Sequence, residues 1–128
     1  MLFRSYVPEA GSIIVLLATD APLLADQCRR LAQRATIGLA RVGSIAADSS
    51  GDIVVAWSTG NRVPEDAAAA VPLRSMPHAH LTPLFEAVAE AVEEAVWNAL
   101  VAATTTVGYL GRTVHAVPHD LLVAAVGR

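Results

Sequence analysis

The sequence predicts an α/β fold, and three observations lead to this prediction. Two short runs of aliphatic and β-branched residues, 13–18 and 53–59, are each typical of a buried strand. Two longer stretches, from Leu23 to Gly43 and from Leu81 to Ala103, repeat apolar residues at helical spacing. The chain has 128 residues, of which 54% are hydrophobic and 16% charged, so it can form one domain core with apolar surface left for a partner.

The first half of the chain is predicted to be a strand, a helix and a second strand. The run 13–18 has no polar interruption, which predicts a central strand covered on both faces, and Asp20 and Pro22 end it. The following amphipathic helix is predicted to end at Gly43. Residues 44–51 have turn chemistry, and the strand 53–59 comes next.

The second half is predicted to be mainly helical. Three prolines and an alanine tract between Gly60 and about Ala79 indicate a long loop or lid. The helix 81–103 follows, then a short strand at 112–117 and a last helix that Pro118 opens. Because two long strands and one weak strand make a poor sheet, we expect another polypeptide or segment to complete the fold.

Composition argues against several classes of function. The net charge is −3, with nine arginines, no lysine and no basic stripe, so nucleic acid is not an expected ligand. No apolar run reaches the ~18 to 20 residues that span a bilayer, so we expect no membrane partner. The run 13–18 is shorter than the ~7 to 15 apolar residues of a secretion signal, and Cys28 is the single cysteine, which together indicate a cytoplasmic protein.

Three other groups of residues could suggest chemistry, and each has a simpler interpretation. Four histidines could bind zinc, but Pro118 lies between the last two and no metalloprotease signature accompanies them. A row of glutamates at spacing four is typical of the water-facing side of a helix. Two tryptophans lie on apolar elements, where packing is their usual role. These residues are His78, His80, His115 and His119; Glu86, Glu90 and Glu94; and Trp57 and Trp97.

The junction Gly11-Ser12, directly before the first strand, offers a specific chemistry. The Ser12 hydroxyl could attack the preceding carbonyl, and hydrolysis of the resulting ester would leave Ser12 as a new amino terminus. A free α-amine has a pKa of ~7.7 to 8.0, so it can act as a base where an amide nitrogen cannot. Ser50 and Asp52 lie at the start of the neighbouring strand and could orient that amine. Taken alone, each segment has a simpler interpretation as an ordinary turn that enters a strand.

Four blocks of sequence, in order, carry a resemblance to a known family. The chain resembles the β-chain of the self-processing D-aminopeptidase (L-aminopeptidase/D-esterase) and β-peptidyl aminopeptidase family over nearly everything from Gly11 onward. The blocks are Gly11 to Leu24, Gly38 to Ser44, Ser49 to Ile53, and Gly111 to Asp120.

The resemblance implies a fold, an activity and site residues. It implies part of an αββα layered sandwich of the N-terminal-nucleophile type, with Ser12 as nucleophile after cleavage at Gly11-Ser12. By similarity, Ser50 is the second catalytic serine and Asp52 the acidic residue that orients the new amine. The family acts on small peptides and on amino-acid amides and esters through an acyl-enzyme, without a metal or other cofactor.

The resemblance also implies a partner. The family's α-chain, which supplies oxyanion donors and groups that hold the substrate, is absent here apart from at most residues 1–11. We therefore expect residues 1–11 to be a leader or α-chain remnant and residues 12–128 the nucleophile-bearing segment. An α-chain of the same family or a homo-oligomer would complete it, since this chain alone would be a poor catalyst. The alternative is a truncated, non-catalytic fragment that acts as an assembly or interaction module.

Overall fold

The computed structural model describes residues 11–127, and its central feature is a two-stranded parallel sheet. Strand β1 (Ile14–Thr19) pairs with β2 (Ile53–Ser58), with Ile14 opposite Ile53 and Thr19 opposite Ser58. Both predicted strands are confirmed to within one residue at each end. Because the strands are parallel, the segments that lead into them meet at one edge of the sheet.

Within residues 11–127, four α-helices accompany the sheet: α1 (Ala25–Ala32), α2 (Ala35–Arg41), α3 (Thr82–Ala102) and α4 (His119–Val126). The predictions for α3 and α4 are confirmed. The prediction of one helix up to Gly43 is wrong, because a turn at residues 33–34 divides it into α1 and α2. Apolar spacing continues across this turn, so periodicity does not reveal the break.

The core lies between one face of the sheet and helices α1, α2 and α3. Val15 of β1 is buried there, and its neighbours Ile13 and Leu17 are partly buried on the same face. From β2, Val54 and Ala56 pack against the same core. The helices contribute buried residues that are mostly aliphatic: Cys28, Leu31, Ala35, Leu39, Val88 and Val92, with Leu23 and Leu81 from the adjoining turns.

The opposite face of the sheet is apolar and exposed within residues 11–127. Its five large side chains are between 42% and 68% exposed. The prediction that the first strand is covered on both faces is therefore wrong for this part of the chain. An apolar run indicates that both faces avoid water, but it does not say what covers them. We call this surface the open face; it consists of Ile14, Leu16, Ile53, Val55 and Trp57.

The C-terminal segment forms a separate hairpin. Strand β3 (Thr106–Val107) pairs antiparallel with β4 (Thr113–Val114), and neither pairs with β1 or β2. The predicted strand at 112–117 is thus present only as the two residues of β4. No helix within residues 11–127 is long and apolar enough to cross a bilayer.

The loop predicted between Gly60 and Ala79 is present, and polar side chains fasten it to the core. The Asn61 side-chain amide donates to the Arg74 carbonyl at 2.8 Å and to the Leu23 carbonyl at 3.2 Å. The buried Gln27 side chain donates to the Met76 carbonyl at 2.6 Å and accepts from the Met76 amide at 3.2 Å. These bonds attach the end of the loop to α1.

Candidate active site

Ser12 is separated from β1 by Ile13 alone, and it lies at the edge where both parallel strands begin. Its side chain is exposed, and its hydroxyl Oγ accepts a hydrogen bond of 2.9 Å from the backbone amide of Gly51. Next to this bond, the Ile53 amide donates a hydrogen bond of 2.9 Å to the Ile13 carbonyl, at the start of the pairing between β1 and β2. The strand pairing therefore fixes Ser12 against the segment that leads into β2.

Asp52 is the acceptor at the centre of this edge. Its Oδ1 accepts a hydrogen bond of 3.0 Å from the backbone amide of Ile13, 39 residues away in the sequence. The same oxygen accepts a bond of 2.5 Å from the Ser50 hydroxyl. Hydrogen bonds to an ionised carboxylate are stronger than those between neutral groups, so Asp52 holds both the start of β1 and the Ser50 side chain.

The three site residues predicted from the sequence thus lie in one hydrogen-bonded cluster. Ser12 and Asp52 are each linked across the sheet through a backbone amide, that of Gly51 for Ser12 and that of Ile13 for Asp52. Ser50 donates directly to Asp52. These contacts exist while Ser12 is still joined to Gly11, before any amine has been released.

Gly51 is a member of the cluster that the sequence analysis did not identify. Its contribution is a backbone N–H, which every residue except proline carries, so its residue type gives no signal. Nor does space require glycine there, since a Cβ at this position would lie 3.5 Å from Ser12 Oγ, an ordinary contact. Only the pairing register of the two strands could have pointed to it.

A cavity of about 280 Å³ opens beside Ser12. It lies between the start of β1, the end of α2, the loop 43–51 and one residue of α3, Val96. Ser50 and Asp52 form part of its wall. The side chain of Ser12 therefore faces a space into which another molecule can enter.

The other candidate residues do not form a second site. Within residues 11–127 no group of three histidine, cysteine or acidic side chains could hold a metal ion. His78 Nδ1 accepts from Arg30 at 3.1 Å, and His119 Nε2 is bonded to the Val101 carbonyl at 3.0 Å. The glutamates Glu86, Glu90 and Glu94 are exposed on α3, as expected for its water-facing side.

Cys28 is buried in the core. Burial, with a smaller contribution from the charge of Asp26, raises the pKa of its thiol above the ordinary value. The thiolate is the reactive form of cysteine, so the raised pKa makes this thiol less reactive than an ordinary exposed one.

Comparisons with known proteins identify relatives with a common activity. The sequence model described as peptidase family S58 matches residues 2–114. Beta-peptidyl aminopeptidase BapA from Sphingosinicella microcystinivorans is 47% identical over 118 residues, which are 91% of this chain and 30% of that protein. The chain therefore spans about a third of the length of this relative.

Two solved structures are similar in both sequence and fold. A Burkholderia sp. beta-aminopeptidase matches with a TM-score of 0.82 and 46% identity, over 94% of this chain and 36% of the other. The L-aminopeptidase D-Ala-esterase/amidase from Ochrobactrum anthropi matches with a TM-score of 0.82 and 39% identity, over 91% and 34%. The latter is described as a prototype for the serine aminopeptidases and as a new variant among the Ntn hydrolase fold.

Proposed function

Because the chain belongs to peptidase family S58, we propose that it is the nucleophile-bearing segment of an N-terminal-serine aminopeptidase. The observation that carries this proposal is the hydrogen-bonded cluster of Ser12, Ser50 and Asp52 at the common edge of β1 and β2. A serine nucleophile needs a nearby base and fixed neighbours, and an exposed serine beside an open cavity has room for a substrate.

The first step of the proposed chemistry is cleavage at Gly11-Ser12. The Ser12 oxygen attacks the Gly11 carbonyl carbon, the C–N bond breaks, and the acyl group passes from nitrogen to oxygen. Water then hydrolyses the ester, which releases residues 1–11 with a Gly11 carboxylate and leaves Ser12 with a free amine. Residues 12–128 are the segment that remains; all but Gly11 of the released piece lies outside the described residues.

The second step is turnover of a substrate. The neutral Ser12 amine takes the proton of the Ser12 hydroxyl as its oxygen attacks the substrate carbonyl. The amine or alcohol of the substrate leaves with a proton, and water releases the acyl residue from Ser12. The carboxylate of Asp52, fixed by Ile13 and Ser50, supports the positive charge that the amine acquires. The substrates are small peptides and amino-acid amides or esters.

We further propose that an α-type chain completes the enzyme by covering the open face. An uncovered apolar sheet face of this size is unusual in a protein that works alone. The chain matches 30% of the length of its BapA relative. A segment equivalent to part of the unmatched length of that relative could cover the open face. The α-type chain would also supply hydrogen-bond donors for the oxyanion of the reacting carbonyl, which the cluster of Ser12, Ser50 and Asp52 does not include.

The test of the function is Ser12→Ala in the chain co-purified with the α-type segment. Hydrolysis of amino-acid amides should fall by a factor of at least about 10³. Thr36→Ala, on the exposed side of α2, is the matched control and should leave the rate unchanged. Full hydrolysis by Ser12→Ala would show that Ser12 is not the nucleophile.

A second candidate function is a non-catalytic assembly module, which the open face favours because it could equally bind a second copy. The two functions differ in what the purified chain does. A module should form a stable homo-oligomer and retain residues 1–11, whereas the enzyme segment should associate with the α-type chain and lose them.

A further inference from the structure

The cavity beside Ser12 has a wall that the proposed reaction does not use. Leu39 comes from α2 and Val42 directly follows that helix, Ala47 comes from the loop 43–51, and Val96 from α3. Leu39 is buried, and the other three are half-buried, so the wall is a fixed apolar surface rather than a set of free side chains.

The polar residues that line the cavity are Ser12, Ser44, Ser50 and Asp52. Ser50 and Asp52 are hydrogen-bonded to each other, and Asp52 also to the Ile13 amide. Among the residues that line this cavity, all of them within the described chain, none is lysine or arginine. The cavity therefore offers no cationic side chain to a carboxylate and has the Asp52 carboxyl in its wall, which argues against the C-terminal end of a peptide as its occupant.

The size and position of the cavity restrict the occupant further. Its volume of about 280 Å³ is just below the ~300 to 1,000 Å³ of most ligand pockets, so it suits one side chain better than a peptide. Ser12 lines the same cavity as this apolar wall. The side chain of an amino acid esterified to Ser12 Oγ would therefore lie beside the wall.

From these observations we propose that the wall of Leu39, Val42, Ala47 and Val96 binds the aliphatic side chain of the residue transferred to Ser12. This chain would then set part of the enzyme's selectivity, in favour of branched aliphatic residues at the amino terminus of the substrate. The inference rests on the proposed function, because it takes Ser12 as the acylated atom.

The test fills the cavity without touching the polar cluster. Ala47→Leu adds volume on the wall, while the Ala47 carbonyl still accepts from the Ser50 amide as it does now at 2.8 Å. In the complex with the α-type segment, the ratio of kcat/KM for leucinamide to that for glycinamide should fall about 10-fold or more. Ile45→Phe enlarges an exposed side chain of the same loop outside the cavity, and should leave the ratio unchanged.

A second variant changes the wall in the opposite direction. Val42→Ala enlarges the cavity, so the ratio for phenylalaninamide over leucinamide should rise. An unchanged ratio in both variants, with amides still hydrolysed, would overturn the inference while the proposed function stands. If Ala47→Leu weakens binding of the α-type chain but leaves the selectivity unchanged, the inference would also be overturned. A side chain of the partner, and not of the substrate, would then occupy the cavity.

Binding can be measured independently of turnover. In methyl NMR spectra of the full chain, isobutyramide should shift the methyl signals of Val42, Val96 and Ala47 more than acetamide does. Such shifts without any amide hydrolysis by the complex would support the pocket and contradict the proposed function. Absence of shifts at these methyls would count against the pocket.

Discussion

At the scale of single residues, Asp52 combines two roles that a substitution can separate. As a hydrogen-bond acceptor it fixes the Ile13 amide and the Ser50 hydroxyl, and as a charge it would stabilise the protonated Ser12 amine. An asparagine can still accept both bonds through Oδ1 but carries no charge.

Asp52→Asn should therefore keep the fold and lose the chemistry. We expect the free energy of unfolding to change by less than about 1 kcal/mol, while cleavage at Gly11-Ser12 and amide hydrolysis slow by about 10²-fold or more. Asp52→Ala should lose rate and stability together. Chemical denaturation and a time course of intact mass measure the two effects; equal stability losses in both variants would contradict this division.

Gly51 shows the limit of sequence analysis at this scale. The candidate site residues with side-chain roles, Ser12, Ser50 and Asp52, were predicted by residue type and by resemblance, and the structure places them close together. The backbone N–H of Gly51 could not be predicted in this way, because residue type does not indicate which backbone amide will donate to a site. The same holds for the Ile13 amide, whose role depends only on the register of β1 against β2.

At the scale of elements, the crossing of α2 and α3 depends on Gly38. A Cβ at this position would lie 2.5 Å from the Ala89 carbonyl oxygen and 2.7 Å from Val92 Cβ. These distances are too short for real contacts, so the helices could not approach so closely with any other residue.

Gly38→Ala should force α2 away from α3 and destabilise the protein by about 1 to 3 kcal/mol, the usual cost of overpacking. Gly108→Ala is the control, because its added methyl would meet the Arg112 carbonyl oxygen at 3.6 Å, an ordinary contact. Thermal unfolding of both variants measures the difference. A Gly38→Ala variant as stable as the wild type would show that the crossing can relax.

Gln27 has a comparable importance for the loop that follows Gly60. Its buried side chain is bonded to both backbone groups of Met76 and accepts from the Leu24 amide at 3.2 Å. Leucine has a similar size but can make none of these bonds, so it would leave buried polar groups without partners.

We expect Gln27→Leu to cost about 2 to 4 kcal/mol and to expose the loop to proteases, since each unsatisfied buried group costs about 1 to 3 kcal/mol. Gln33→Leu, at an exposed position after α1, is the matched control. Limited proteolysis followed by mass analysis would locate the cuts. Equal resistance of the two variants would mean that Gln27 does not hold the loop.

Several elements were predictable from sequence and others were not, for physical reasons. Strands β1 and β2 and helix α3 follow from long, regular apolar patterns. The turn between α1 and α2 interrupts no apolar pattern, so periodicity could not predict it. The close approach of α2 to α3 at Gly38 joins residues about 50 positions apart, which a local pattern does not contain. The strand predicted at 112–117 is longer than β4, which has only two paired residues. A strand this short leaves no alternating pattern in the sequence from which its ends could be predicted.

At the scale of the whole molecule, the fold is the α/β type that the sequence predicted, and it is similar to a structure described as a variant of the Ntn hydrolase fold. Helices cover one face of the sheet, and the other face is open within residues 11–127. An αββα sandwich would place a second sheet there, which is the position that we propose for the α-type chain.

Leu16→Glu and Trp57→Glu should prevent this association, because each places a charge in the centre of the open face. Binding to the α-type chain should weaken at least 10-fold, measured by co-purification and calorimetry. Glu86→Gln, on the exposed side of α3, is the control and should bind normally. Unchanged binding of both open-face variants would mean that the partner uses another surface.

If Ser12 becomes the amino terminus of an active enzyme, intact mass with amino-terminal sequencing of the chain purified with an α-type segment will show it most directly. We predict loss of residues 1–11 and a new terminus at Ser12, with Ser12→Ala remaining whole. A wild-type chain that stays uncleaved in this complex, or a Ser12→Ala chain that is still cut after Gly11, would contradict self-processing by Ser12.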